Sequence, residues 1–325
     1  MQAIKDLGHE VIPVDTEPKD VVNKQQRFGF RVRKKLFGPL DLGKANQSII
    51  RLLKEHNVDV LWLDKALTIR PETLNVVRRV YPKVTIVGYS PDDMMAKYSQ
   101  SQNFLKGISL YDIFFTTKSF NVNELQKLGC AKTVFIGNAY DPILHRPMVV
   151  TDEDRLKFGG PVGFIGAYER ERAEAIFYLA ENSSPVRVWG PNWDTKYKLR
   201  HPNVKIEGGP LWGKDYTRAI NSFDIVLCFL RKISRDLQTT RSVEIPACGR
   251  FMVAERTEEH LQLFEEGKEA EFFSSNKELL DKVSYYLAHP EERKRIAVAG
   301  RERCLKNGYS NHDRLKWMLE KVISL

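Results

Sequence analysis

Apolar positions along the chain alternate between short continuous runs and a helical spacing, the patterns of buried parallel strands and of amphipathic helices. In the first half the strand-like runs are His9–Asp15, Val58–Asp64, Val84–Ser90, Tyr111–Thr117 and Thr133–Ala139. Helical spacing covers Leu40–Asn57 through Ile49, Ile50, Leu52 and Leu53. It resumes at Pro71, which suits a first helical position, and recurs around Met94–Ile108 and Phe120–Leu128. Met1–Gly8 is helical in pattern too, so no strand is read ahead of it. The second half repeats the alternation. Its strands are Val162–Gly166, Val186–Gly190, Val204–Gly209, Phe223–Leu230 and Phe251–Glu255, with helices over Ala167–Asn182 and ending near Tyr216–Asn221. Beyond Glu255 the pattern is helical: Thr257 caps Glu258–Phe264, and Ser275 with Glu278 makes a capping box. Pro290 starts the next helix, Gly308 ends it, and Ser310 caps the last.

Strands alternating with helices of this length predict an α/β protein with parallel, doubly wound sheets. With 325 residues, about two domains are expected. Residues 1–140 form the first, 141–161 a linker holding three prolines, and 162–308 the second. Residues 309–325 form a terminal helix placed to cross back to the first domain.

Chemistry concentrates between Phe223 and Glu255. A buried strand is followed by a loop carrying Arg231, Lys232, Arg235, Asp236 and Arg241, then by a short helical piece with Glu244 one turn in, then by a second strand. In an open parallel sheet that loop lies at the carboxyl edge, where ligands bind. Arg241 and the helix N-terminus suit a phosphate, and Glu244 suits ribose hydroxyls. The alternative is an Arg–Glu pair on a solvated loop. Arg170 and Arg172 in the first turn of another helix run against the helix dipole, a placement that makes sense with an anion in front of them. A G-x-G-x-x-G fingerprint is absent, so dinucleotide binding is not supported.

Charge and cysteine usage narrow the class. Residues 1–150 hold 22 Lys/Arg against 15 Asp/Glu, a net +7 of the total +9. The excess peaks in Arg27–Lys35, which is either a solvated face or a patch for an anionic acceptor, an anionic membrane surface or nucleic acid. The four cysteines are scattered and read as reduced, buried thiols. Neither a signal peptide nor a membrane span is read, and a cytoplasmic location is expected, with peripheral contact at the inner membrane surface as a further option.

The stretch RSVEIPACGRFMVAE from Arg241 to Glu255, followed by HLQLFEEGKEAEFF from His260 to Phe273, resembles the C-terminal signature of CgeB-like spore-maturation glycosyltransferases. These are relatives of the retaining nucleotide-sugar transferases. The resemblance implies a GT-B fold of two facing Rossmann-like domains, the first here lacking its first strand, and a nucleoside-diphosphate sugar, a UDP-sugar before others, as donor. It implies no cofactor and no metal.

On the second domain the implied donor residues are Gly166, Arg172, Gly190, Trp193, Arg241 and Glu244, with Trp193 beside the base or packed in the core. Arg172 and Arg241 would stabilise the leaving diphosphate. The E-x7-E pair of the relatives becomes Asp236 and Glu244; Glu244 matches, whereas Asp236 is a shorter side chain. Acceptor-side candidates are Lys65, Asp92, Asp93 and His145. Asp92-Asp93 reads either as a metal-type acidic pair or, preferred here, as the cap of the helix from Met94. The rival functions are a nucleotide-sugar epimerase, a DNA-base glycosyltransferase and a non-catalytic sugar-nucleotide binder.

Overall fold

The computed structural model describes residues 1–16, 18, 39–193 and 201–325. The chain divides into two compact units, one of Met1–Gly137 with Leu315–Leu325 and the other of Asn138–Arg314. The basic run Arg27–Lys35 lies outside the described residues.

In the first unit α1 (Gln2–Asp6) and α2 (Ala45–Glu55) precede β1 (Val60–Asp64), and α3 (Pro71–Val80) leads to β2 (Thr85–Ser90). Then come α4 (Gln102–Gly107), β3 (Ile113–Thr116), α5 (Ser119–Lys127) and β4 (Thr133–Phe135). The strands pair in parallel in the order β1-β2-β3-β4. Two expectations are corrected. His9–Asp15 is not a strand: Ile12 and Pro13 lie exposed, and Pro13 has no N–H to give a ladder. Met94–Ile108 is not one helix either. Met94–Gln100 forms turns, and helix begins only where the Ser101 hydroxyl accepts the Phe104 N–H at 3.1 Å. Leu315–Leu325 belongs to this unit: Met318 and Val322 are buried with Val87, Ile113 and Phe115.

The second unit opens with α6 (Asp152–Phe158), β5 (Gly160–Ile165), α7 (Arg170–Glu181), β6 (Val186–Trp189) and β7 (Val204–Ile206). After α8 (Gly213–Ser222) follow β8 (Phe223–Cys228), α9 (Arg241–Ala247), β9 (Met252–Glu255), α10 (Glu258–Leu263) and β10 (Glu271–Phe273). The last helices are α11 (Asn276–Ala288), α12 (Pro290–Lys306) and α13 (Asn311–Ile323), the last of which runs on into the first unit's residues. The expected linker therefore contains a helix, closed by a capping box between Thr151 and Asp154. The box expected at Ser275 is only half formed. Ser275 accepts from the Glu278 N–H, but the Glu278 carboxylate is taken by Arg256 and the Ser274 N–H.

All six strands are parallel in the order β10-β9-β8-β5-β6-β7. The order reverses between β5 and β8, and ligands bind at such a switch point in doubly wound sheets. Side chains of β8 alternate between two cores, Val226 and Cys228 in one, Ile225 and Leu227 in the other. Coverage of both faces explains why this strand reads as a continuous apolar run.

Candidate active site

The loops leaving β5 and β8 emerge side by side at the switch point, and each feeds a helix that carries an arginine. Arg172, in the first turn of α7, is buried and turned inwards. Its Nε donates to the Leu230 carbonyl at 3.3 Å, and Nη1 donates to the Ala167 carbonyl at 3.0 Å. Arg241, at the start of α9, approaches from the other loop. Both guanidiniums lie over the ring of Phe164 on β5, with Cζ 5.7 Å (Arg172) and 6.0 Å (Arg241) from its centroid. Burial, and then the charge of Arg241, lower the pKa of Arg172. Among the described residues the Arg241 Nε–H is buried and has no hydrogen-bond partner. Two converging cations and an orphan buried donor make a site suited to an anion.

Glu255, at the end of β9, holds the rim. Its carboxylate accepts the Leu230 N–H at 2.7 Å and pairs with Lys232. Glu169 lies 3.2 Å from Arg231 and 3.8 Å from Arg172. The loop is anchored from behind by buried polar groups. Gln238 accepts the Asn138 backbone N–H at 3.0 Å and donates to Glu259 at 2.7 Å. The His260 Nδ1 donates to the Glu255 carbonyl at 2.6 Å, so its Nε2 accepts from the Ser242 hydroxyl at 2.7 Å.

Glu244 is one turn into α9, on the same face as Arg241. Its Oε2 accepts from the Tyr216 hydroxyl at 2.5 Å, and its Oε1 stands 3.8 Å from His145 Nε2. Burial first, and then the charge of Glu244, raise the Tyr216 phenol well above its ordinary pKa. His145, expected on the acceptor side, thus lies within the second unit against Glu244.

Trp193 is in the core, not beside an open site. It packs edge-on to Phe164 and Tyr168, and its indole N–H donates to the Gly166 carbonyl at 2.9 Å. That bond ties the loop after β5 to the loop after β6. Gly190 completes the tie: at φ 150° a Cβ there would sit 2.0 Å from the Gly166 oxygen, so only glycine lets the two backbones approach. Asp236 is half-buried beyond Arg235, a left-handed residue at φ 51°, and its N–H donates to the Arg231 carbonyl at 3.2 Å.

In the first unit Lys65, left-handed at φ 41°, pairs with Asp92. Asp93 is buried and accepts from the Met95 N–H and the Asn121 amide, both at 3.0 Å. The two aspartates serve different partners, and Asp93 caps a turn where a helix start was expected. No group of three or more His, Cys, Asp or Glu side chains among the described residues is arranged to hold a metal ion. Tyr216, Gln238 and His260 had no signal in the sequence; each reads there as an ordinary position on a helix or loop.

Two parallel-sheet α/β units, the second wound outwards from a switch point between β5 and β8, give the chain the GT-B fold. The family model described as "Glycosyl transferase-like" matches residues 170–320. Among solved structures, Anabaena HepE in complex with UDP-glucose is similar at 14% identity and TM-score 0.62, over 93% of this chain and 90% of that one. Sucrose-phosphate synthase from Thermosynechococcus elongatus is similar at 12% identity and TM-score 0.60, over 90% and 79%. A glycosyltransferase from Rickettsia africae is similar at 14% and 0.59, over 98% and 86%. None of the curated proteins matches the chain.

Proposed function

We propose that the second unit binds a nucleoside-diphosphate sugar, UDP-sugar before others, and that the enzyme is a CgeB-like transferase working with retention and without a metal ion. The observation that carries this is the pair of arginines over Phe164, one with an unpartnered buried N–H, at the switch point of the sheet. Departure of the nucleoside diphosphate from the anomeric carbon builds negative charge on the leaving phosphate. Donors already fixed in place stabilise that charge without reorganising. Arg172 has two donors committed to backbone carbonyls, which fix its plane, and Glu169 stands 3.8 Å from its Nη2; the phosphate would take the N–H groups not bound to carbonyls. Arg241 supplies the second fork, and the carboxylate of Glu244 receives the ribose hydroxyls. The likeness to HepE, whose structure holds UDP-glucose, supports uracil as the base. The +7 charge of residues 1–150 favours an anionic acceptor.

A thermal-shift series with UDP, GDP, ADP and their sugars tests the donor. The cognate diphosphate at about 100 times its Kd should stabilise the protein by about 2.7 kcal/mol. Glu244→Ala should lose roughly 1.5–3 kcal/mol of that affinity, the scale of a hydrogen bond to a charged group. A protein indifferent to every nucleoside diphosphate would overturn the reading.

A further inference from the structure

We propose that Tyr216 and His145 are positioning residues for Glu244, and that they set a preference for ribonucleotides over 2′-deoxyribonucleotides. The proposal rests on the assignment of Glu244 to the ribose of the donor.

Three separate segments meet at this carboxylate. Tyr216 comes from α8, Glu244 from α9, and His145 from the turn after Asp141. The Tyr216 hydroxyl donates to Oε2 at 2.5 Å. The His145 ring is fixed by its own turn. The His145 backbone N–H donates to the Asp141 carbonyl at 2.7 Å, and the ring Nδ1 accepts the Asp141 backbone N–H at 3.1 Å. The Asp141 carboxylate closes the turn by accepting from Ile143 and Leu144 at 2.8 and 3.1 Å. With Nδ1 an acceptor, the ring proton of neutral His145 sits on Nε2, the nitrogen that faces Oε1 at 3.8 Å. The ring stands edge-on to Tyr216 at 5.7 Å, so each residue braces the other.

Each oxygen of Glu244 therefore has one protein donor beside it. An ionised carboxylate offers about four lone-pair sites, so each oxygen keeps a direction open for a ligand. Two such directions on one fixed carboxylate match the two hydroxyls of a vicinal cis-diol. A free glutamate does not present this pair, because its terminal torsion is broad. Holding the plane before binding removes the cost of ordering it, and the gain is realised only by a ligand that uses both oxygens. A tyrosine–carboxylate bond that merely joined α8 to α9 would not distinguish one nucleotide sugar ring from another.

The test compares UDP with 2′-deoxy-UDP by titration calorimetry on the full chain, in wild type, Tyr216→Phe, His145→Ala and Glu244→Ala. Tyr216→Phe should weaken UDP about 5- to 20-fold while leaving 2′-deoxy-UDP within about twofold, so the ratio between them collapses. His145→Ala should do the same more weakly, and it carries the comparison alone if Tyr216→Phe fails to fold, which the melting temperature reports. Equal weakening of both nucleotides, or no change in either, overturns the positioning role. A ratio that survives Glu244→Ala places the failure earlier, in the ribose assignment itself. A ratio lost in Glu244→Ala but kept in both other variants refutes only the positioning role.

Discussion

Arg172 occupies a position that simple electrostatics disfavours. It sits at the positive end of α7, buried, with the second guanidinium of Arg241 sharing the Phe164 ring. The oddity of an arginine there was visible in the sequence; the partner was not, because the two residues are 69 positions apart. If these side chains stabilise the leaving diphosphate, Arg172→Lys and Arg241→Lys should lower kcat more than they raise the donor KM, since an ammonium cannot reproduce the fork. A rise in KM alone would mean that they hold only the ground state. Trp193 is the opposite case. A tryptophan after a glycine left two readings open, beside the base or packed in the core. The tertiary structure takes the second: it buries the ring and uses its N–H to join two loops.

At the scale of elements, the loop between β8 and α9 owes its shape to polar groups behind it. The charged residues that face outwards were legible from the sequence. Gln238, Ser242 and His260 were not, since Gln238 pairs with Asn138 and Glu259, and Ser242 with His260, which is held in turn by the Glu255 carbonyl. His260 is fully buried and neutral, and burial lowers its pKa below the ordinary 6.5. In the unfolded chain it binds a proton as pH falls through that value, whereas in the folded protein it resists until lower pH. The unfolded state therefore holds more protons in that window, and stability must drop as pH falls below about 6.5. Urea unfolding between pH 8 and pH 5 should show this loss, and His260→Gln should lack that part of the slope. Glu278, held down at about 2 by Arg256, adds its own loss only below its ordinary value of 4.5 and so lies outside that range. Where elements were misread, the reason was local. Pro13 and the turns after Asp93 sit in apolar stretches whose periodicity fitted a strand and a helix, but neither found the backbone partners that such elements need.

For the molecule as a whole, the described residues include no helix long and apolar enough to cross a membrane. Arginines, not a metal ion, are the proposed charge stabilisers. Turnover of the proposed nucleoside-diphosphate sugar should therefore survive EDTA unchanged; activity abolished by chelator and restored by Mg²⁺ or Mn²⁺ would overturn the proposed metal-independent mechanism.

Parallel strand–helix alternation, the location of the charged loop at a strand end and the candidacy of Arg172, Arg241 and Glu244 for a site there were all readable from the sequence. They depend on periodicity and residue type within a few tens of positions, which the linear chain carries. The winding order that makes β5 and β8 neighbours was decided only by the tertiary structure. So were the meeting of Arg172 with Arg241 over Phe164, the burial of Trp193, and the bracing of Glu244 by Tyr216 and His145. Each of these joins residues far apart in the chain, and such contacts form only when the packing of both faces of the sheet selects one arrangement among many that the same local pattern permits.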